Sequence, residues 1–185
     1  VLRYIPALDT WLPADRLATA VAWACGVERS EGPSALCLSR QNLPALSKLD
    51  QVDAIRRGGY VLADMAGAKV VILATGSELE LAMQAHQTLA GLGIATRVVS
   101  MPCTNRFDRQ STAYQNEVLP LQLPAVAIEA AQPDFWRKYV GRTGKVIGMP
   151  GFGESAPAKA LYTHFGITAN AVVQAVADLL QGESK

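Results

Sequence analysis

The sequence predicts an α/β fold with a three-layer α/β/α arrangement, built on a mainly parallel or mixed sheet of about five strands. Short apolar runs bounded by glycine, proline or polar residues have the length of buried strands. Longer segments between these runs carry apolar residues at helical spacing. Strands and helices alternate along most of the chain, which is the order expected when helices cover both faces of a mainly parallel sheet.

Residues 1–40 predict a partial strand-helix-strand segment that precedes this sheet. "VLRYIP" has the pattern of a short strand, and Pro13 suits the first turn of a helix that carries "ADRLATAVAWACG" to Gly26. "SALCLS" follows as a short apolar strand. One such unit lacks the other strands that a parallel sheet needs, so we expect it to be the end of a larger domain.

Residues 41–66 predict a linker, since the stretch is polar and irregular before it finishes in a short extended piece, "GGYVLAD". Residues 67–185 predict the sheet domain itself. Its expected strands are "AKVVILAT", "IATRVVSM", "AVAIEA" and "KVIGM". Its expected helices are "GSELELAMQAHQTLAGLG", "STAYQNEVLP", "DFWRKYVG", "APAKALYTHFG" and "TANAVVQAVADLLQG".

The composition of the chain argues against nucleic acid and membrane as partners. The 185 residues are 50% apolar and carry 17 Lys plus Arg against 16 Asp plus Glu, a net charge of +1. Binding to nucleic acid normally needs a basic surface, and no such excess is present. No apolar run reaches the roughly 20 residues that span a bilayer. The chain begins at Val1 without a signal-peptide pattern, so we expect a processed chain or a piece of a longer one.

The three cysteines, Cys25, Cys37 and Cys103, are widely spaced and odd in number. This pattern disfavours a disulfide framework or a zinc site and favours the reducing cytoplasm as the setting. Cys25 and Cys37 have apolar neighbours in sequence, so we expect both to be small core residues.

Two loops could hold an anion. In "ATGSELEL", Ser77 and Glu80 match a capping box at a helix start, a place that can also bind phosphate. Glu78 and Glu80 would repel the phosphate, which favours capping. In "GMPGFGESAP", Ser155 can cap the helix that Pro157 helps to open, and the loop matches neither standard nucleotide-binding motif.

Other polar residues indicate no catalytic or metal centre. His86 lies mid-helix beside an apolar stripe and His164 in a last helical turn, so structural or surface roles are expected. "QPDFWRKYVG" mixes aromatic and basic residues, and we interpret it as a packing face with solvated cations. Four acidic residues stand isolated, without the spacing of a metal site: Asp64, Asp108, Glu129 and Asp134.

Arg40 is the one candidate ligand-binding residue that position alone suggests. It follows the predicted strand "SALCLS", and ligands of parallel α/β sheets collect outside the carboxyl ends of the strands. A guanidinium group is the cation best matched to phosphate, because its planar fork donates two parallel hydrogen bonds. The alternative is that Arg40 is simply solvated, as most arginines are.

Several of these stretches, in this order, make the chain resemble the carboxy-terminal third of a bacterial-type transketolase. The most specific are "LSRQNLP", "ATGSE", "VVSMP" and "FGESAP", and the resemblance covers nearly the whole chain. It implies that residues 1–40 end a pyrimidine-binding domain, that 41–66 are a linker, and that 67–185 are the family's C-terminal domain. It also implies that Arg40, the arginine of "LSRQ", contacts the phosphate group of a sugar-phosphate substrate.

The resemblance further implies a homodimeric enzyme that uses thiamine diphosphate and a divalent metal, Mg or Ca, to move a two-carbon ketol unit between sugar phosphates. The family's G-D-G motif, its activating glutamate and its active-site histidines have no match here. We therefore expect no cofactor, metal or catalytic residue in this chain, dependence on the missing N-terminal domains, and no activity of the chain alone.

Two alternatives stay open at this point. The chain could be a stand-alone α/β module that binds a nucleotide or another anion at "ATGSE" or "FGESAP". It could also belong to another thiamine-dependent enzyme with a similar last domain, such as a deoxyxylulose-phosphate synthase or the beta subunit of a ketoacid dehydrogenase. The combination of "LSRQNLP" with "FGESAP" favours transketolase over these enzymes.

Overall fold

The computed structural model describes residues 2–182 and begins with a small parallel strand pair. Strand β1 (Asp9–Trp11) pairs in parallel with β2 (Ser34–Leu36), and helix α1 (Arg16–Glu28) connects them. The Asp15 side chain caps α1 by accepting a 2.8 Å hydrogen bond from the Ala18 amide. This is the predicted strand-helix-strand unit, with its first strand displaced along the chain.

The strand predicted at residues 1–6 is wrong, leaving aside Val1, which lies outside the described residues. Leu2–Tyr4 form a short 3-10 helix instead. The Ile5 amide donates to the Leu2 carbonyl and the Leu8 amide to the Ile5 carbonyl, so these turns use the groups that a strand would pair with a neighbour.

The segment predicted as a linker contains regular structure. A 3-10 turn (Leu49–Gln51) leads into helix α2 (Val52–Arg56), and strand β3 (Tyr60–Asp64) follows. Strand β3 pairs antiparallel with a strand of the main sheet and forms one of its edges. The extended piece predicted in "GGYVLAD" is therefore part of the sheet.

Gly58 allows β3 to start close to its neighbours. Its backbone has a φ of +88°, and a Cβ atom there would lie 2.3 Å from the Cys103 carbonyl oxygen. The Cys103 amide also donates a 2.9 Å hydrogen bond to the Gly58 carbonyl. This close approach needs glycine, because other residues rarely adopt a positive φ and no space exists for a side chain.

The main sheet has five strands in the order β3-β5-β4-β6-β7. They are β3 with β4 (Val70–Ala74), β5 (Thr96–Ser100), β6 (Ala125–Ile128) and β7 (Lys145–Ile147). All neighbours after β3 pair in parallel. The predicted α/β fold with a mainly parallel, mixed sheet of about five strands is thus confirmed.

Helices cover both faces of this sheet. They are α3 (Leu79–Gly91), α4 (Thr104–Phe107), α5 (Thr112–Val118), α6 (Arg137–Val140), α7 (Ala158–His164) and α8 (Ala169–Gly182). One core places α3 and α8 against Ile72 and Val98, and a second places Phe107 and Trp136 against the opposite face. Strand β4 lies between the two cores and is buried along its whole length.

The strand pair is fixed to the main sheet through the end of β1. The Leu12 amide donates to the Pro102 carbonyl at 2.7 Å, and the Gly76 amide donates to the Leu12 carbonyl at 3.1 Å. Trp11 is fully buried in a third core that also contains Ile55 and Tyr60. Within residues 2–182, no helix has the length and apolar character needed to cross a bilayer.

Candidate functional site

The carboxyl ends of the two sheets meet at one place in the molecule. Leu12 follows β1, and Thr75 follows β4 in the main sheet. The Thr75 hydroxyl lies 3.3 Å from the Leu12 carbonyl and donates a 2.8 Å hydrogen bond to the Met101 carbonyl. Ligands of parallel α/β sheets bind outside the carboxyl ends of the strands, so this junction is the candidate site.

Arg40 lies in the loop that follows β2 at this junction. Its side chain is exposed, and it makes no hydrogen bond or ion pair with the other residues between 2 and 182. A guanidinium group in this state can bind an anion without first breaking an internal ion pair. Because β2 ends at Leu36, Arg40 lies four residues beyond the strand and not directly after it as the sequence predicted.

The loop around Arg40 is fixed at both ends. The Cys37 amide donates a 2.8 Å hydrogen bond to the Trp11 carbonyl at its start. At its other end, one Asp15 carboxylate oxygen accepts hydrogen bonds from the Leu46 amide at 3.0 Å and the Ser47 amide at 2.6 Å. Burial alone would raise the pKa of Asp15, but these amides and that of Ala18 favour its charged form and lower the pKa.

Ser77, Glu78 and Tyr162 form a hydrogen-bonded cluster in which Glu78 is buried and the other two side chains are half-buried. The Ser77 hydroxyl donates to the Glu78 carboxylate at 2.8 Å and lies 2.9 Å from the Tyr162 hydroxyl. The Tyr162 hydroxyl also donates to Glu78. Burial is the main cause of the raised pKa of Glu78, and burial together with Glu78 raises the pKa of Tyr162 to about 12.

The capping box predicted for Ser77 and Glu80 is wrong. Ser77 lies in a 3-10 turn (Gly76–Glu78), which directs its hydroxyl toward Tyr162, and α3 starts only at Leu79. Glu80 instead accepts a 3.3 Å hydrogen bond from Gln84. The buried Glu78 carboxylate also argues against an anion at this helix start.

The capping role predicted for Ser155 is wrong as well. Helix α7 begins at Ala158, and Pro157 occupies the capping position without a side-chain hydrogen bond. Ser155 is exposed two residues earlier, too far along the chain to cap the first turn.

Glu129, which stands alone in the sequence, has close partners in the fold. It follows β6 directly and is buried, where it forms a salt bridge with Arg3 and accepts a 2.8 Å hydrogen bond from the Trp136 indole. Arg3 also stacks on the Phe135 ring at 4.4 Å. The position of Glu129 at a strand end could have been noticed in the sequence, but its distant partner Arg3 could not.

The histidines have structural or surface surroundings, as predicted. His86 Nδ1 lies 2.7 Å from the Thr96 hydroxyl, and burial lowers the pKa of this histidine. His164 is exposed, with Nε2 4.0 Å from a Glu154 carboxylate oxygen.

The cysteines are all free. Cys25 is a core residue as predicted, and Cys103 is buried with its pKa raised to about 12 by desolvation. The core position predicted for Cys37 is wrong: β2 ends at Leu36, so Cys37 lies beyond the strand and is exposed. Between residues 2 and 182, no group of three or more His, Cys, Asp or Glu side chains is arranged to hold a metal ion.

Comparison with known proteins connects this geometry to a family. Residues 58–168 match the family described as the transketolase-like TK C-terminal domain. The chain is 50% identical over 182 residues to transketolase 1 of Escherichia coli strain K12 and 49% identical over 185 residues to transketolase 2 of Pasteurella multocida strain Pm70. In both cases the match covers 97% of this chain and only 28% of the relative, so the chain spans little more than a quarter of their length.

Solved structures give the same result. A transketolase from Leishmania mexicana superposes with a TM-score of 0.90 at 40% identity, over 97% of this chain and 26% of that one. A Pichia stipitis transketolase in complex with sedoheptulose-7-phosphate superposes with a TM-score of 0.91 at 34% identity. This match covers 99% of this chain and 27% of that one. A split-gene transketolase, described as an inactive beta4 tetramer, superposes with a TM-score of 0.79 at 30% identity. This match covers 97% of this chain and 60% of that one.

The resemblance seen in the sequence is therefore confirmed: the chain belongs to the transketolase family, and its residues 58–168 correspond to that family's C-terminal domain.

Proposed function

We propose that this chain is the carboxy-terminal part of a transketolase, which moves a two-carbon ketol unit between sugar phosphates. In this proposal residues 1–40 are the end of the pyrimidine-binding domain and residues 67–185 form the C-terminal domain. Residues 41–66 are the linker between these two domains. The identity to named transketolases over 97% of the chain supports this assignment. The small share of those relatives that the chain spans supports an origin as one part of a larger enzyme.

The observation that carries the proposal is the state of Arg40. It is exposed in the loop that follows a parallel strand, four residues after β2 ends, and it is unpaired among residues 2–182, so its two-pronged donor group is available to a phosphate. We propose that Arg40 binds the phosphate group of the sugar substrate. One relative of similar structure was solved with sedoheptulose-7-phosphate, a ligand of this class.

The thiamine diphosphate and the divalent metal belong, in this proposal, to the domains outside this chain. When bound there, thiamine diphosphate supplies the chemistry that carries the two-carbon unit. Residues 2–182 do not fit the metal, because they contain no cluster of three His, Cys, Asp or Glu ligands. We propose that the chain alone is inactive, and the split-gene relative described as an inactive tetramer is consistent with this.

The assembly proposed for the whole enzyme is a cytoplasmic homodimer that includes the missing N-terminal domains. This chain would supply to the homodimer the contact between Arg40 and the substrate phosphate, together with surface for packing between subunits. The family relationship supports this arrangement.

The test compares Arg40→Ala with Arg142→Ala in the intact enzyme. Arg142 is an exposed arginine two residues after α6 and also lacks a hydrogen-bond or ion-pair partner among the described residues. A charge-assisted phosphate contact is worth about 1.5–3 kcal/mol, so Arg40→Ala should lower kcat/KM for phosphorylated substrates roughly tenfold to a hundredfold. Non-phosphorylated donors and Arg142→Ala should show little change. Equal losses for both kinds of donor would contradict the proposed contact.

A further inference from the structure

A cavity of about 290 Å³ lies between the strand pair and the main sheet domain, and three arginines line it. We call it the arginine cavity. Arg29 follows α1 of the strand pair, whereas Arg106 lies in α4 and Arg109 follows that helix. The cavity borders Asp9 at the start of β1, while the loop that carries Arg40 follows the carboxyl end of the parallel strand β2. The two places therefore lie at opposite ends of the strand pair.

Two of the three arginines hold a buried carboxylate. Asp9 is 1% exposed, and its Oδ1 atom lies 3.1 Å from Arg29 Nη1 and 2.8 Å from Arg109 Nη2. Arg29 is 8% exposed and also donates to the carbonyls of Pro33 and Ala7 at 2.7 and 2.6 Å. These contacts fix both cations in place. Because one carboxylate faces two guanidinium groups, a positive charge remains beside the cavity.

The third arginine, Arg106, has no counter-charge. Its side chain is half-buried, and its guanidinium group makes no hydrogen bond or ion pair with the other residues of the described part of the chain. Its contact with the Trp11 ring, at 5.8 Å from the centroid, is near the outer limit for a cation–π interaction. Withdrawing a cation partly from water is unfavourable without a partner, so an anion in the cavity would stabilise Arg106.

The carboxylates that line the cavity do not cancel this charge. Besides Asp9 they are Glu28 and Glu31. Glu28 forms a salt bridge with Arg56, which is not a lining residue. Glu31 is exposed and has no ion-pair partner among residues 2–182. When Arg56 is counted with the lining residues, four arginines face three carboxylates, so the surroundings of the cavity remain positive.

We propose that the arginine cavity binds a small anion that carries a phosphate group, with Arg106 as its direct ligand. Arg29 and Arg109, whose hydrogen bonds serve Asp9, add positive charge from fixed positions. A guanidinium group suits phosphate, because its planar fork donates two parallel hydrogen bonds. The volume is at the lower end of the roughly 300–1,000 Å³ typical of ligand pockets, which fits inorganic phosphate or a small phosphorylated metabolite.

A bound phosphate would connect the two parts of the fold. Its direct ligand Arg106 belongs to the main domain, and the nearby Arg29 belongs to the strand pair. A ligand that binds only the folded chain raises the stability of that chain, so phosphate should raise the melting temperature. The competing explanation is that the arginines serve only to neutralise Asp9. It predicts no binding of phosphate, and it leaves Arg106 without a role because Arg106 does not pair with Asp9.

The experiment measures the binding of inorganic phosphate and of glycerol 3-phosphate to the full 185-residue chain by calorimetry and thermal melting. The chain carries Arg40→Ala, so that a phosphate bound by Arg40 does not contribute and the outcome is independent of the function proposed for that residue. We expect saturable binding that Arg106→Gln weakens roughly tenfold or more. Arg142→Gln is the matched control and should leave the affinity unchanged, since this exposed arginine does not line the cavity.

The two ligands distinguish the source of the phosphate group. Tighter binding of glycerol 3-phosphate supports the proposal with a phosphorylated metabolite as the occupant, and equal or tighter binding of inorganic phosphate supports it with the free ion. The absence of saturable binding would overturn the proposal. So would an affinity that Arg106→Gln leaves unchanged, or a rise in melting temperature that sodium chloride of equal ionic strength reproduces.

Glu31→Gln tests the same site in the opposite direction and serves if Arg106→Gln fails to fold. It removes a negative charge from the cavity lining, so phosphate should bind roughly twofold to fivefold more tightly. Glu117→Gln is its control, because Glu117 is exposed on α5 and does not line the cavity. An affinity that is the same in Glu31→Gln and in Glu117→Gln would contradict the proposed site.

Discussion

Charged residues in this molecule differ in whether a partner neutralises them. Arg3 is paired with Glu129, and Asp9 is held by both Arg29 and Arg109. Pairs of this kind satisfy buried charges and leave little capacity for a ligand. Arg40 is exposed and unpaired among the described residues, and this difference in state, rather than its residue type, makes it the candidate for binding phosphate.

Position at a strand end was a useful signal for single residues, but it did not reveal their partners. Arg40 and Glu129 both follow parallel strands, and this much is readable in the sequence. Arg3 meets Glu129 across more than a hundred residues, and Tyr162 meets Glu78 across more than eighty. Such contacts depend on how elements pack, so no local pattern predicts them.

Glu78 should make stability depend on pH. Burial raises the pKa of its carboxyl above the unfolded value of about 4.5, so the folded state holds the proton more tightly. Its contribution to stability is therefore full below about pH 4.5 and declines as pH rises through the higher folded pKa. Glu78→Gln has no carboxyl group to ionise in this buried position. Its free energy of unfolding, relative to that of the parent chain, should therefore increase between pH 4 and pH 8.

The measurement is urea unfolding of the chain and of Glu78→Gln across this pH range. Glu80→Gln is the control, because Glu80 lies two residues away in α3 and is more exposed than Glu78. A difference between Glu78→Gln and the parent chain that stays constant with pH would show that Glu78 does not titrate as described.

The secondary-structure elements that were predicted well are those whose burial follows directly from an apolar run. Strand β4 was found from "AKVVILAT", and all five of its residues are buried. Strand β1 was misplaced, because Asp9 and Thr10 are polar and yet buried. Arg29 and Arg109 neutralise Asp9 from distant parts of the chain, which no local pattern indicates.

Asp15 should link two elements, helix α1 and the Arg40 loop. It caps α1 and also accepts the amides of Leu46 and Ser47. Asp15→Ala removes all three acceptor contacts, so we expect a loss of about 1–2 kcal/mol of stability and faster hydrogen exchange at Leu46 and Ser47. Ser111→Ala, which removes the weaker cap of α5, is the control and should leave the exchange of the loop unchanged. Unchanged exchange at both amides in Asp15→Ala would contradict the anchoring role.

At the scale of the whole fold, residues 2–182 combine a five-stranded sheet domain with a separate pair of strands. Its fold class and family were readable because ordered motifs extend along nearly the entire chain, as the 97% coverage of relatives reflects. The junction of the two sheets at Leu12, where the Arg40 loop lies, was not readable, because backbone hydrogen bonds between distant segments create it.

The most direct test of the central claim is ketol transfer from a phosphorylated donor by this chain alone, by the amino-terminal domains alone, and by the two together, each with thiamine diphosphate and Mg²⁺. We predict turnover only for the combination, and a loss of roughly tenfold or more in kcat/KM when the chain carries Arg40→Ala. Turnover by this chain alone would contradict the account, as would a combination in which Arg40→Ala is as active as the parent chain.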